Sequence, residues 1–280
     1  MQRRGWFEIH DHRLFPRFLR DLVTDALEAL WNTQDTYAPI VPRLRQALSA
    51  AGTNRVVDLC SGGGGPWLKL SRDFSSGGVQ PPQVCLTDIY PNRRAFERLR
   101  AEAAVDYCAE PVNAMRIPRE LVGFRTIFSS FHHFAPKEAR AILKDAFDAR
   151  QGIAVFEGAT RELRTVVAVF LLPVPALLLA PRIRPFRWSR LFYTYLVPVI
   201  PFTLWMDGLL SCLRSYSQSD FQELVSDMAA DDYRWDVGIE RGRWVAVAYL
   251  IGHPMRRARR ESSEEAAVLA AGATEKRKPA

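Results

Sequence analysis

Four short segments bring together residue types that could do chemistry. The first is Val56-Val57-Asp58-Leu59-Cys60-Ser61-Gly62-Gly63-Gly64-Gly65. A buried apolar run ends in a glycine cluster, and a helical stretch follows. Glycines there let the backbone approach a ligand closely, and a helix start offers free N–H groups. The second is Asp88, which ends the next apolar run, Val84-Cys85-Leu86-Thr87. A carboxylate at that place can accept hydrogen bonds from both hydroxyls of a ribose. The third is Asn113-Ala114-Met115-Arg116-Ile117-Pro118, and the fourth is Phe128-Ser129-Ser130-Phe131-His132-His133-Phe134. Histidine titrates near neutrality, so His132 and His133 are candidate general bases, and His10 and His12 are weaker ones.

The elements that must position these groups alternate. Amphipathic helices are expected over 14–32 and 39–51, where apolar residues follow helical spacing and Gly52 supplies a stop. Strands are expected over 55–60, 84–88, 124–128 and 152–156, with a third strand ending at 112–114. Helices over 66–74, 92–103 and 136–149 separate them. Strand and helix in alternation imply a parallel sheet with right-handed crossovers. All four segments then lie at the carboxyl ends of strands, where open α/β sheets bind ligands. A helix over 217–229 and an antiparallel hairpin, 234–239 with 245–251 around Arg241-Gly242-Arg243, close the chain.

The fold expected is therefore α/β and Rossmann-like: a doubly wound, mostly parallel sheet with a C-terminal antiparallel hairpin. A helical cap over 1–52 precedes a main domain over 53–254, which carries an apolar helical insert at about 163–211. A mobile basic tail is expected over 255–280, because it is rich in Ala, Glu, Ser and Arg.

Composition narrows the classes. With 280 residues, 48% hydrophobic and 25% charged, the chain can bury a core and is neither disordered nor fibrous. The net charge is +7, and the tail accounts for +3 of it. The remainder is too mild to argue for nucleic-acid binding. Four cysteines without a C-x-x-C pair disfavour a zinc site or a disulfide framework, so no metal is expected. The N-terminus lacks a secretory apolar run, and a cytoplasmic location follows as the expectation, with membrane association left open.

On these segments the sequence resembles the class I S-adenosylmethionine-dependent methyltransferases over residues 54–156, plus the terminal hairpin. Asp58, Gly62 and Gly64 match the family's first motif, with Cys60 where its first glycine usually stands. Asp88 matches the second-strand acid, Asn113-Ala114 stands where Asp-Ala usually meets the adenine, and the segment from Ser129 to Phe134 is similar to the fourth motif. The resemblance implies that Asp58, Cys60, Gly62, Gly64, Asp88, Asn113, Ala114 and Ser129 bind S-adenosylmethionine. It also implies an EC 2.1.1 methyltransferase acting on a small, hydrophobic or amphipathic acceptor, with Ser129 and His132 near the methyl. A non-catalytic or membrane-attached protein that has lost the chemistry is one alternative, kept open by Cys60 and Asn113. An NAD(P)-dependent oxidoreductase is another, but bulky Trp67 stands where that fingerprint needs a small third residue.

The insert is the most distinctive segment. Residues 166–180 and 191–206 are almost wholly apolar, Arg182, Arg184, Arg187 and Arg190 lie between them, and no acid occurs from 163 to 206. It reads three ways: a transmembrane hairpin, though each run is short and broken by prolines; a hairpin dipping into one leaflet with its arginines on anionic headgroups; or a roof over the active site, in which the arginines could bind an acidic substrate group, or a homodimer interface.

Overall fold

The computed structural model describes residues 8–12, 14–76, 80–103, 105–242 and 245–255. Apart from Met255, the expected tail lies outside the described residues, as does Arg243 of the hairpin turn.

Helix α1 (Arg17–Gln34) and helix α2 (Val41–Ala51) precede the sheet. Then come β1 (Arg55–Leu59), α3 (Trp67–Ser75), β2 (Gln83–Leu86), α4 (Arg93–Glu102) and β3 (Val105–Tyr107). β4 (Phe124–Phe128), α5 (Pro136–Asp148) and β5 (Ile153–Glu157) complete the parallel part. The insert holds α6 (Leu163–Phe170), α7 (Pro173–Leu179), α8 (Trp188–Leu191) and α9 (Val199–Arg214). α10 (Gln218–Val225) leads to β6 (Tyr233–Arg241) and β7 (Ala246–Pro254).

The seven strands form one sheet in the order β3-β2-β1-β4-β5-β7-β6. The first five are parallel, while β7 runs antiparallel to both β5 and β6. β4 and β5 are buried along their whole length, as parallel strands covered on both faces must be. The two-residue period of a strand sorts their side chains. Val56, Phe124, Phe128 and Phe156 face one core with α2, α3 and α4, and Val57, Ile127 and Val155 face the other with α5 and α10.

Three expectations need correction. The third strand is Val105–Tyr107, not 112–114. Val112, Asn113 and Ala114 lie in the connection beyond it, where only a single bridge, Asn113 to Arg116, forms. The sequence there hides a three-residue strand behind exposed Asp106, whereas buried Val112 and Ala114 imitate one. Second, the helical cap divides: Leu44, Ala47 and Leu48 put α2 in the sheet's own core. Only α1 leaves the sheet, and its Leu22, Val23, Ala26 and Leu30 form a third core with Ala176, Ile183, Ile200 and Leu204 of the insert. Third, the two apolar runs are not two helices. The first breaks before Pro173, and the second passes through a π-helical turn, Phe192–Leu196, before Pro198 caps α9.

Candidate active site

β1 ends at Leu59, and the chain then turns by left-handed residues: Cys60 (φ 58°), Gly62 (φ 55°), Gly64 (φ 110°) and Gly65 (φ 56°). At Gly64 the requirement is also steric, since a Cβ there would stand 2.2 Å from Leu99 Cδ1 on α4. Cys60 adopts the left-handed conformation without being glycine, at a cost of about 1–2 kcal/mol. The turn is tight all the same.

Asp58 holds this turn from beneath. Its carboxylate accepts Ser61 Oγ–H at 2.6 Å and Thr126 Oγ1–H at 2.6 Å. Burial pushes its pKa up to about 6 against those two hydrogen bonds. Asp88 holds the turn from the side: Oδ2 accepts the Gly62 N–H at 2.7 Å and Oδ1 the Tyr90 N–H at 2.7 Å. Val112 N–H donates to the Asp88 carbonyl at 2.8 Å, which brings Asn113 and Ala114 beside it. Asn113 is exposed and accepts the Met115 N–H at 2.9 Å, while Ala114 is buried.

The sequence-predicted residues thus form two groups. Asp58, Cys60, Gly62, Ser129, His132 and His133 line one cavity. Asp88, Asn113 and Ala114 form a shelf at the neighbouring strand ends and do not line it, and neither does Gly64. Ser129 is left-handed (φ 44°), and its Oγ accepts the Gly158 N–H at 3.1 Å and bonds the hydroxyl of buried Tyr37 at 2.6 Å. Burial, together with the Glu157 and Asp58 charges, pushes the Tyr37 pKa up against its Ser129 bond, so it stays neutral.

Opposite this floor the cavity is closed by α1 (Val23, Thr24, Leu27), the end of α6 with Leu172, and α9 (Thr203, Leu204, Gly208). The insert therefore roofs the site. Its arginines do not reach inward for a substrate. Arg190 is buried and bonds Asp25 of α1 at 2.9 Å, and Arg187 lies 3.5 Å from the same carboxylate. The expectation that all four arginines face headgroups or substrate fails because two of them latch the insert to α1.

A charged array spans from floor to roof. His132 is 1% exposed, with Nδ1 2.6 Å from Glu157 Oε2 and Nε2 3.1 Å from Glu8 Oε1. Burial opposes its charge, but Glu157 and Glu8 outweigh burial and push its pKa up to about 10. Both ring nitrogens therefore carry protons at neutral pH, and His132 cannot act as the general base expected of it. Glu157 also accepts the backbone N–H groups of Phe131 and His132, at 2.7 and 3.1 Å. Glu8, 2% exposed, accepts Ser211 Oγ–H at 2.9 Å. Burial would raise the Glu8 pKa, yet His133, His132 and His10 hold it well below the usual carboxylate range.

His133 differs from its neighbour. Its side chain is 21% exposed to the cavity, and Nε2 lies 3.6 Å from Glu8 Oε2. His10 completes the cluster, with Nδ1 2.7 Å from Asp207 Oδ2 on α9. Asp207 also takes the Ile9 N–H at 2.6 Å and the His10 N–H at 3.1 Å, tying the N-terminal segment to the roof. Among the described residues, Glu8 with His132 and His133, and Glu8 with His10 and Asp207, bring three metal-capable donors within 4.8 Å of one another. In both groups these donors already bind each other.

Sequence reasoning missed Glu8, Glu157 and Asp207. Asp207 left a signal, as the lone acid between residues 163 and 219. Glu157 left a weaker one, a carboxylate closing a wholly buried strand.

No family model matches the chain, and no curated protein matches it. Solved structures do. Human N-acetylserotonin methyltransferase in complex with SAM is 12% identical, with a TM-score of 0.50, over 86% of this chain and 57% of that one. An O-methyltransferase family protein from Burkholderia thailandensis is 14% identical, with a TM-score of 0.48, over 89% of this chain and 62% of that one. The chain thus spans about three-fifths of the length of these two proteins. At such identities the likeness concerns the fold, which agrees with the sheet order and the left-handed turn after β1. The chain has the fold of the class I S-adenosylmethionine-dependent methyltransferases.

Proposed function

We propose that this chain transfers a methyl group from S-adenosylmethionine to a small, hydrophobic or amphipathic acceptor. The observation that carries the reading is one cavity, floored by the glycine turn and roofed by apolar α9, with His133 facing into it. The donor set on the floor and shelf fits the cofactor. The Asp88 carboxylate suits the ribose hydroxyls, the Asn113 amide offers both a donor and an acceptor to the adenine, and the 60–65 turn has backbone room for the remainder. When bound, the cofactor supplies an electrophilic sulfonium methyl.

The chain's own groups then have separate tasks. Leu27, Leu172 and Leu204 exclude water from the acceptor. The turn and the roof hold acceptor and donor in line, which is the main source of rate in such a displacement. An acceptor that must lose a proton gives it to the His133 imidazole, and the Glu8 carboxylate, 3.6 Å from Nε2, stabilises the resulting imidazolium. His132 keeps its protons and fixes Glu8 and the 131–133 backbone in place.

A thermal-shift titration with S-adenosylmethionine and its demethylated product, with NADH and NADPH in parallel, tests the cofactor. At about 100 times its dissociation constant, a ligand stabilises the fold by about 2.7 kcal/mol. That corresponds to a rise of roughly 5–10 °C for a domain of this size. A rise with the two sulfur ligands alone is expected, and a rise with the nicotinamides instead overturns the proposal. Turnover of labelled methyl on a metabolite extract separates an active enzyme from a scaffold that binds the cofactor and does nothing with it.

A further inference from the structure

Beyond its cavity-facing side, the insert has an outward apolar side that the other described residues leave exposed. Of the twenty-one large hydrophobic side chains exposed among the described residues, fourteen lie between positions 163 and 213. Leu163, Trp188 and Leu196 are 79%, 78% and 72% exposed, and Phe170, Leu178 and Phe202 are more than half exposed. These elements are not loosely packed, since Ala176, Ile183, Ile200 and Leu204 on their inner side are buried against α1. An apolar surface of this extent on elements packed against the fold marks an interaction site.

From this face we infer that the insert docks the protein on an anionic lipid bilayer. Charge selects this occupant. Arg182 and Arg184 are exposed beside Phe186 and Trp188, and residues 163–206 contain no acid. Anionic headgroups supply the missing countercharge, and tryptophan, tyrosine and arginine are the side chains suited to the headgroup level. A second copy of the chain cannot supply it, because a two-fold interface sets the same patch against itself and leaves the arginines facing an acid-free surface.

Length selects the mode of attachment. Among the described residues no single helix is long and apolar enough to cross a membrane. α9 has 16 residues, or about 24 Å, against a hydrocarbon core of about 30 Å. The apolar stretch before it joins at a bend of 69°. The helices therefore lie in one leaflet's interface, with their buried sides still roofing the cavity.

The test is co-flotation of the full chain with phosphatidylcholine vesicles and with phosphatidylcholine–phosphatidylglycerol vesicles. Binding is expected to the second far more than to the first, and to weaken with salt. Trp188→Glu with Leu196→Glu abolishes it, while the melting temperature stays unchanged because both side chains are exposed. Arg182→Ala with Arg184→Ala weakens it about fivefold per arginine, the equivalent of about 1 kcal/mol each. Recovery of the full chain only in the soluble fraction with anionic vesicles at low salt overturns the inference. A dimer in sedimentation that Trp188→Glu with Leu196→Glu dissociates then reassigns the face to a second copy. Flotation needs neither cofactor nor turnover, so it can fail while methyl transfer stands, and the reverse.

Discussion

At the carboxyl ends of the central strands the cavity is walled by backbone: the left-handed 60–65 turn and the Ser129 bend, with Asp58 beneath the turn and Asp88 gripping it from outside the cavity. Across it, the wall is side chain, made of leucines from α1 and α9 and of carboxylates and histidines from positions 8, 10 and 207. Most of the floor's contacts connect the turn to neighbouring strands of the sheet, and Tyr37 joins Ser129 from 92 positions away. The roof's connect residues about 200 positions apart, as in Glu8 with Ser211 and His10 with Asp207. A wall of the first kind can bind a common cofactor with few side chains. A wall of the second kind can change its chemistry with its residues while the floor stays as it is. His132, between Glu157 of the floor and Glu8 of the roof, is the joint between them.

The largest effect is therefore expected at that joint. His132→Ala leaves buried Glu157 without its cation and takes the nearest one from Glu8, which keeps Arg214 at 3.7 Å, and should cost about 3–5 kcal/mol, lowering the melting temperature by about 10 °C. The same joint sets a pH dependence. The native state holds the His132 proton up to about pH 10, while the unfolded chain releases it near the ordinary histidine value of 6.5. Its stabilisation is full below 6.5 and is lost as pH rises toward 10, at no more than about 1.4 kcal/mol per pH unit. Glu28, pushed up to about 8 by burial despite Arg98, adds the same sign at lower pH, so the comparison is cleanest from about pH 8 to about pH 9.5. Denaturant unfolding at those two values should show a steeper slope in the native protein than in His132→Ala, where the thiols of Cys85 and Cys212, pushed up by burial to about 11 and about 12, still give one of the same sign. An unchanged slope would place the proton elsewhere.

The next two variants separate the walls. His133→Ala, on the floor segment after β4 but facing Glu8 of the roof, should lower turnover by about 10²–10⁴-fold and leave cofactor affinity alone, if the acceptor must lose a proton. Asp88→Ala, on the shelf, should weaken S-adenosylmethionine about 100-fold by calorimetry, from the loss of charge-assisted hydrogen bonds. It should also lower stability slightly, because Asp88 holds the Gly62 N–H. Unchanged affinity removes Asp88 from the ribose role. A fall in affinity with His133→Ala would show that the two walls are one binding unit.

The same division governs what could be read from the sequence. The placement of Asp58, the glycines, Asp88 and the 128–134 segment at the strand ends was legible because each lies within a few residues of a strand end, where periodicity locates it. The alternation of strand and helix through β5, apart from the place of β3, followed from the same periods. The role of His132 was not legible, because its two carboxylates arrive from positions 8 and 157. Neither was that of Arg190, which reads as a headgroup ligand until Asp25 meets it from 165 positions away. β3 was missed for a local reason: three residues with one exposed aspartate show too little alternation to register. The cap and the main domain were divided at position 52 by sequence order, whereas packing divides them between α1 and α2.

The smallest expected effect tests whether the floor's one irregular residue limits it. Cys60 stands at φ 58° where a glycine would be unstrained. Cys60→Gly should recover about 1–2 kcal/mol of left-handed strain, while greater freedom in the unfolded chain takes back about 0.5–1 kcal/mol. The thiol also packs, half-buried, against the core under α5, and that contact is lost. The net change should fall within about 1 kcal/mol of zero, a shift of the melting temperature of no more than about 2–4 °C. Cofactor affinity should stay within about twofold, because the backbone path of the turn is already that of a glycine. A tenfold gain in affinity would mean that the thiol obstructs the floor, and it would point to this position as the place where binding has been weakened. A large loss of stability would mean that packing of the thiol, and not the glycines around it, holds the turn in its left-handed path.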